Sequence, residues 1–319
     1  MTPSANGRLW KLPLLALGWV ALVYFLVRSL NKIPSLEDWG RFLKGDAILA
    51  GFFFGACFLA CTALRTFRFG YLLRLASPVP WREIALAFPW LFMIGAITPM
   101  RLGEGLRAVW IRQHGGASID AIGYWFAERW TDLFMLAGFA LVGIVAAPAI
   151  AGLGVWAWLV AGGLIAGYFL LWLVARPTLT RLGQKLPMGA GISVRFFDAL
   201  RYMDLPSIHG MVVGLTVAIW LILAMGFWIV LNAAFGDGVS FAVAVGCVAA
   251  VNLSAFLSVA PANLGSYQAA MIAMLALYGF DAETGFMVAV LIQGIGLMIT
   301  LATGASARAI IAWRDWRTA

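Results

Sequence analysis

The sequence predicts an all-α integral membrane protein with about six full spans and two broken, re-entrant helix hairpins, arranged as an inverted-topology repeat. Three observations carry this expectation. Apolar residues fill 63% of 319 positions and charged residues only 11%, with a mean hydropathy of +0.93, whereas a soluble domain carries about 25% charged residues. The apolar residues cluster into runs long enough to cross a hydrocarbon core. Two similar segments interrupt the runs: Ile97-Thr98-Pro99-Met100-Arg101-Leu102-Gly103-Glu104 and Val259-Ala260-Pro261-Ala262-Asn263-Leu264-Gly265-Ser266.

The elements follow in order. An apolar run over Leu12–Val27 comes after Arg8 and Lys11, as in a signal peptide. Arg28-Ser29-Leu30-Asn31-Lys32 offers no small-residue cleavage pattern, so the run is expected to stay as an anchor. Ala47–Leu64 is the next span. Its Cys57 and Cys61 share one helical face, which suits packing, and with Cys247 they form no disulfide framework. Ile84–Thr98 and Leu106–Ile111 flank the first interruption. Pro99 removes a backbone donor and Gly103 relaxes the helix, so a break at membrane depth is expected. Leu133–Ala147, Val155–Ala175 and Met211–Leu231 are full spans. Phe241–Val259 and Tyr267–Leu277 flank the second break at Pro261 and Gly265, and Gly285–Thr303 is the last span. Paired interruptions in corresponding halves are the best sequence pointer to a transporter's substrate site.

Span–dip–span order over approximately 47–152 recurs, inverted, over 205–306, within one polytopic membrane domain covering 1–319. The connection at approximately 176–208 joins the halves. Within it, Gly191–Pro206 sets Ile192, Phe196, Phe197 and Leu200 among Arg195, Asp198 and Arg201, an amphipathic pattern for a helix on the cytoplasmic surface. The alternative is that each broken pair crosses the bilayer fully.

The formal charge of +8 is carried by loops and span ends. There it acts as an orientation signal and contacts anionic lipid, and no nucleic-acid partner is expected. The connection Arg65–Arg82, the stretch after Ala175 and the tail with Arg308, Arg314 and Arg317 are basic, which puts both termini in the cytoplasm. Arg28–Asp46 runs against the rule, being external yet holding Arg28, Lys32, Arg41 and Lys44. Trp10, Trp39, Trp81, Trp313 and Trp316 are expected at the interfaces. Arg65 and Arg68 close a span in this reading and anchor to headgroups.

The sharpest chemical signal is Arg101, Glu104 and Arg107, followed by Glu128-Arg129-Trp130-Thr131-Asp132. Helical spacing pairs Glu104 with Arg107, Arg129 with Asp132, and Glu128 with Asp132. Ionised groups near mid-membrane cost at least about 2.5–3.5 kcal/mol each, so they pair and line a polar cavity. A guanidinium fork at Arg101 or Arg107 suits a phosphate, aided by helix N–H groups after Gly103. Alternatively the whole set lies at the cytoplasmic interface as topology signals and interhelical staples. The second break is polar and uncharged: Asn263, Ser266 and Gln268, with Asn252, Ser254, Ser258, Tyr267 and Gln293, could line the other half of the cavity or simply bond between helices.

These motifs resemble the flippase-like transmembrane family that includes the membrane part of lysylphosphatidylglycerol synthase. That family carries Pro-Gly-x-x-Gly-Glu-x-x-Arg, then Glu-Arg-x-x-Asp, then a second Pro-Gly-x-x-Gly followed by Glu. The first matches at Pro99, Gly103, Glu104 and Arg107, the second at Glu128, Arg129 and Asp132, the third at Pro261 and Gly265. Met100 and Ala262 replace the Gly after each Pro, Gln268 stands where an acid is common, and Gln293-Gly294 replaces an Arg. An ion-coupled mechanism that uses an acid in the second half is therefore not expected. The resemblance implies a stand-alone member, without the aminoacyl-transferase domain, in the bacterial cytoplasmic (inner) membrane.

The leading expectation is a lipid flippase or transporter that moves an anionic phospholipid or a polyprenyl-, hopanoid- or sugar-linked lipid between leaflets. Arg101, Glu104, Arg107, Glu128, Arg129, Asp132, Asn263, Ser266 and Gln268 are its candidate substrate-binding residues. Partners are membrane lipids, anionic in headgroup, and an enzyme of lipid synthesis. The alternatives are a membrane-embedded lipid-modifying enzyme or an accessory protein of a lipid-synthesis pathway. An enzyme is disfavoured: there is no His-Glu-x-x-His, and His114 and His209 are expected at a helix end and at an interface. No catalytic residue, cofactor or metal is expected.

Overall fold

A computed structural model describes residues 34–43, 46–75, 77, 79–98, 103–114, 118–149, 159, 163, 167, 206–236, 238–257 and 260–318. The expected anchor Leu12–Val27, nearly all of Val155–Ala175, the amphipathic linker before Pro206, and Pro99 to Leu102 lie outside these residues. Among the described residues the secondary structure is helical, with no strand. The helices are α1 (Leu36–Phe42), α2 (Asp46–Leu73), α3 (Trp81–Ile97), α4 (Leu106–Gln113), α5 (Ser118–Val145), α6 (Pro206–Phe235), α7 (Phe241–Leu257), α8 (Ser266–Ala276) and α9 (Ala282–Thr318), with a 3₁₀ turn at Pro261–Asn263. Three of them, α2, α6 and α9, contain stretches long and apolar enough to cross a membrane, and α7 is a shorter apolar helix. The chain is an integral membrane protein.

Local chemistry starts these helices. Ser35 and Asp38 form a reciprocal cap on α1, with Asp38 N–H donating to Ser35 Oγ and Ser35 N–H to Asp38 Oδ2. Asp281 Oδ1 accepts from the N–H groups of Glu283 and Thr284 and so caps α9. His114 closes α4, with Nδ1 2.9 Å from the Trp110 carbonyl oxygen, the helix-end role its sequence context predicts.

Two helices correct the spans drawn from the sequence. The span expected to end at Leu64 continues as α2 to Leu73, so Arg65 and Arg68 lie inside a helix of 28 residues rather than in a loop. The span expected to begin at Leu133 begins at Ser118, so Glu128, Arg129 and Asp132 lie inside α5, also 28 residues long. The physical reason is common to both. The charges satisfy one another in the interior, so the helices have no cause to end where the charges begin.

The principal packing pairs α2 with α6, α5 with α7 and α9 with α3, with α7 and α9 each also packed on α8. Phe54, Leu136, Phe227, Met271 and Leu275 anchor a large apolar core shared by α2 and α5 to α9, and Phe69, Ile84, Phe88, Leu91 and Trp110 form a second core around α3 and α4. Trp81, Trp313 and Trp316 are exposed at helix ends.

Lipid is as apolar as the helices, so close packing rather than water exclusion holds such helices together. The α5–α7 contact shows how. A Cβ on Gly143 would lie 2.4 Å from Gly246 Cα, so the two backbones touch where both residues lack side chains. The Tyr278 hydroxyl donates to the Gly143 carbonyl at the same place. Gly143→Leu should force these helices apart at a cost of about 1–3 kcal/mol and lower the unfolding temperature in detergent. Gly138→Ala, on the same helix with nothing within 4 Å of its Cβ position, should leave that temperature unchanged.

Candidate headgroup cavity between two helix breaks

The first break is built from the end of α3 folded against the start of α4. Thr98 Oγ1 donates to the Ile94 carbonyl and accepts from Gly103 N–H, each at 2.8 Å, so one hydroxyl ties both sides of the interruption. A Cβ at Gly103 would come within 2.7 Å of the Ile94 carbonyl group, so glycine alone permits this approach. Arg101 and Pro99 lie outside the described residues.

The second break turns on residues in left-handed conformation: Ala262 at φ 53°, Asn263 at φ 56° and Gly265 at φ 85°. Backbone groups freed by the turn need partners inside the protein, and two glutamines supply them. Gln268 Oε1 accepts from Gly265 N–H at 2.8 Å, and Gln293 Nε2 donates to the Ala262 carbonyl at 2.7 Å. Gln268 Nε2 also donates to Gln293 Oε1. An amide pair thus holds this turn, without charge. Helix α3 packs against the Pro261–Asn263 turn, which brings the two halves together.

Between them lies a cavity of ≈ 150 Å³. One wall carries Arg65, Arg68, Arg107, Glu128, Arg129 and Asp132, and the other carries Asn252, Ala262, Asn263, Tyr267, Gln293 and Thr300, with aromatic rings between. Arg68 grips Asp132 with both ends of its fork, at 2.8 and 3.0 Å, and donates to Thr216 Oγ1 at 2.6 Å. Trp220 Nε1 adds a third donor to Asp132 at 3.1 Å. Glu128 lies 3.5 Å from Arg68 Nε and accepts from Arg107 at 3.3 Å. Glu104 accepts from Trp125 Nε1 at 2.6 Å and lies 3.4 Å from Arg129. Arg68, Arg107, Glu128 and Asp132 each expose only 3% of their surface.

The expected residues therefore divide. Arg107, Glu128, Arg129, Asp132 and Asn263 line the cavity. Glu104 sits beside it, on Trp125 and Arg129. Ser266 turns its hydroxyl to the Asn263 carbonyl and Gln268 caps α8, so both serve the second turn rather than the cavity wall. The pairing within helices also differs from expectation. Arg107 bonds Glu128 instead of Glu104, because α4 and α5 face each other, whereas the expected Arg129–Asp132 ion pair is present at 3.7 Å.

Arg65 and Arg68 are the clearest correction. They are expected as headgroup anchors, yet Arg68 is buried at the centre of the network and Arg65 lines the cavity. The signal lay in Phe69-Gly70-Tyr71-Leu72-Leu73, whose continued apolar character shows that the helix goes on. Thr216 and Trp220 carried no separable signal within an apolar span. Among the described residues, no group of histidine, cysteine, aspartate and glutamate side chains could hold a metal.

Removing one partner of a buried ion pair strands the other, at about 3–5 kcal/mol, whereas replacing both with apolar side chains is often neutral. Arg68→Leu should therefore destabilise strongly, and Arg68→Leu combined with Asp132→Leu should recover much of the loss. Denaturation of both variants in detergent checks this, with equal losses in the single and double variants as the contrary result.

A search of curated proteins and of solved structures gave no match. The family described as the lysylphosphatidylglycerol synthase TM region matches residues 10–304. A match over that span covers nearly the whole chain, and the protein belongs to this family of membrane regions.

Proposed function

We propose that the protein moves a lipid between the leaflets of its membrane, the headgroup passing through the cavity while the acyl chains stay in the surrounding bilayer. The observation that carries this reading is the cavity itself, which has ionised groups on one wall, amides on the other, and a helix break contributing to each. Its ≈ 150 Å³ suits a polar headgroup and excludes a whole lipid, since ligand sites for drug-sized molecules measure about 300–1,000 Å³.

The order of elements supports an inverted repeat over approximately 47–152 and 205–306. A long helix, two short ones and a long one (α2 to α5) are followed by the same series (α6 to α9). Exchanging the two series leaves α2–α6 as it is and converts α5–α7 into α9–α3, α2–α3 into α6–α7, and α4–α5 into α8–α9, all of which are packed pairs. In this reading α3/α4 and α7/α8 dip from opposite faces, so rocking of one half against the other opens the site to each leaflet in turn. The basic connections and tail support a cytoplasmic position for both termini.

Purified protein in liposomes should move fluorescent short-chain phospholipids between leaflets, read as loss of protection from an impermeant quencher. Asn252→Trp, which fills the cavity from α7, should reduce this movement to the protein-free rate while the fold is retained. Movement no faster than in protein-free vesicles, or an unaffected Asn252→Trp protein, would defeat the reading.

A further inference from the structure

The carboxylates around the cavity are all engaged, whereas two arginines, Arg65 and Arg107, keep most of their N–H groups unspent. Asp132 accepts from Arg68 and Trp220, Glu128 from Arg107, and Glu104 from Trp125. Arg107, by contrast, gives one nitrogen to Glu128 and leaves Nε and NH2 buried with no hydrogen-bond partner. Arg65 has no hydrogen bond or ion pair among the described residues and is held by rings alone. Its guanidinium lies 5.1 Å from the Trp220 ring centroid and 5.8 Å from that of Phe92.

The two cations sit on neighbouring rings. Arg107 lies 4.9 Å from the centroid of Phe88 and 5.5 Å from that of Phe69. Phe88 and Phe92, one turn apart on α3, stack with centroids 5.9 Å apart and planes 13° from parallel. A ring occupies the face of a guanidinium and leaves its in-plane N–H groups free. Arg65 and Arg107 therefore present unspent donors to one cavity, and for the buried Arg107 leaving them unmade is costly.

We infer that Arg65 and Arg107 form a seat for a phosphate-type oxyanion, and that the cavity rejects a headgroup ending in an ammonium group. Among the described residues four guanidinium groups face three carboxylates, so an added anion is welcomed and an added cation finds no acid to pair with. The opposite wall, with Asn252, Asn263 and Tyr267, offers uncharged hydrogen-bonding groups to the rest of the headgroup. Arg68 does not belong to the seat, because its fork is closed on Asp132. That the oxyanion comes from a lipid rests on the translocation reading. The seat itself does not.

Calorimetric titration of the purified protein in detergent separates these claims, using dihexanoylphosphatidylglycerol, dihexanoylphosphatidylethanolamine and inorganic phosphate as probes. The anionic diester should bind, and the ammonium-bearing diester should bind at least about 10-fold more weakly, the scale of one charge-assisted hydrogen bond. Arg65→Gln should weaken the anionic lipid by about 10-fold or more with an unchanged unfolding temperature, since Arg65 holds no ion pair. Arg107→Lys, which can still pair with Glu128, should also weaken it.

Equal affinity for the ammonium-bearing lipid, wild-type affinity in both variants, or no binding of any probe would overturn the inference. Arg65-dependent binding of inorganic phosphate without binding of the lipid would keep the seat and remove the lipid as its source. Arg65-dependent lipid binding by a protein that moves no lipid in vesicles would keep the seat and remove the translocation reading.

Discussion

A single guanidinium–carboxylate pair ties the interior together. Arg68 on α2 and Asp132 on α5 meet through two parallel hydrogen bonds, and α6 joins them through Thr216 and Trp220. In a low-dielectric interior neither charge tolerates separation, so three helices are fixed in register at one point. The ion pairs of Glu128 continue from that point. Glu128 lies one turn before Asp132 and reaches Arg68 and Arg107, and Arg107 brings α4 against α5. Without Arg68, the break after α3 would have no rigid wall to face.

The two breaks solve one problem with different chemistry. Each interrupts a helix and frees backbone groups that need partners within the protein. The first uses a threonine hydroxyl and a glycine-tight contact, and stands beside an ionic network. The second uses the Gln268–Gln293 amide pair and left-handed residues, with no charge. The cavity is consequently lopsided, with ionic groups on one side and hydrogen-bonding amides on the other. That asymmetry suits a molecule having one charged end and one neutral polar end.

Much of this was legible beforehand. Helicity, both breaks, and the clustering of Arg107, Glu128 and Asp132 follow from hydropathy, from Pro and Gly placement, and from the cost of isolated charges in lipid. The extents of α2 and α5 were not, because a hydropathy window stops at charge and cannot know that Arg68 has Asp132 across the bundle. Arg65 and Arg68 lie at least 60 residues from their acidic neighbours, as the separation of 64 between Arg68 and Asp132 illustrates. Local spacing favoured Glu104 with Arg107, whereas the facing of α4 and α5 rewarded Arg107 with Glu128 instead. Gln268 looked like a ligand because it is polar in an apolar chain, and proves to be occupied by the backbone it caps.

The most direct measurement is a density map of the protein in lipid nanodiscs. The account predicts a headgroup between Arg65 and Arg107 on one side and Asn263 on the other, with acyl chains running out into the surrounding lipid. A map in which these residues face the bilayer on separate surfaces, with only apolar packing between them, would contradict it.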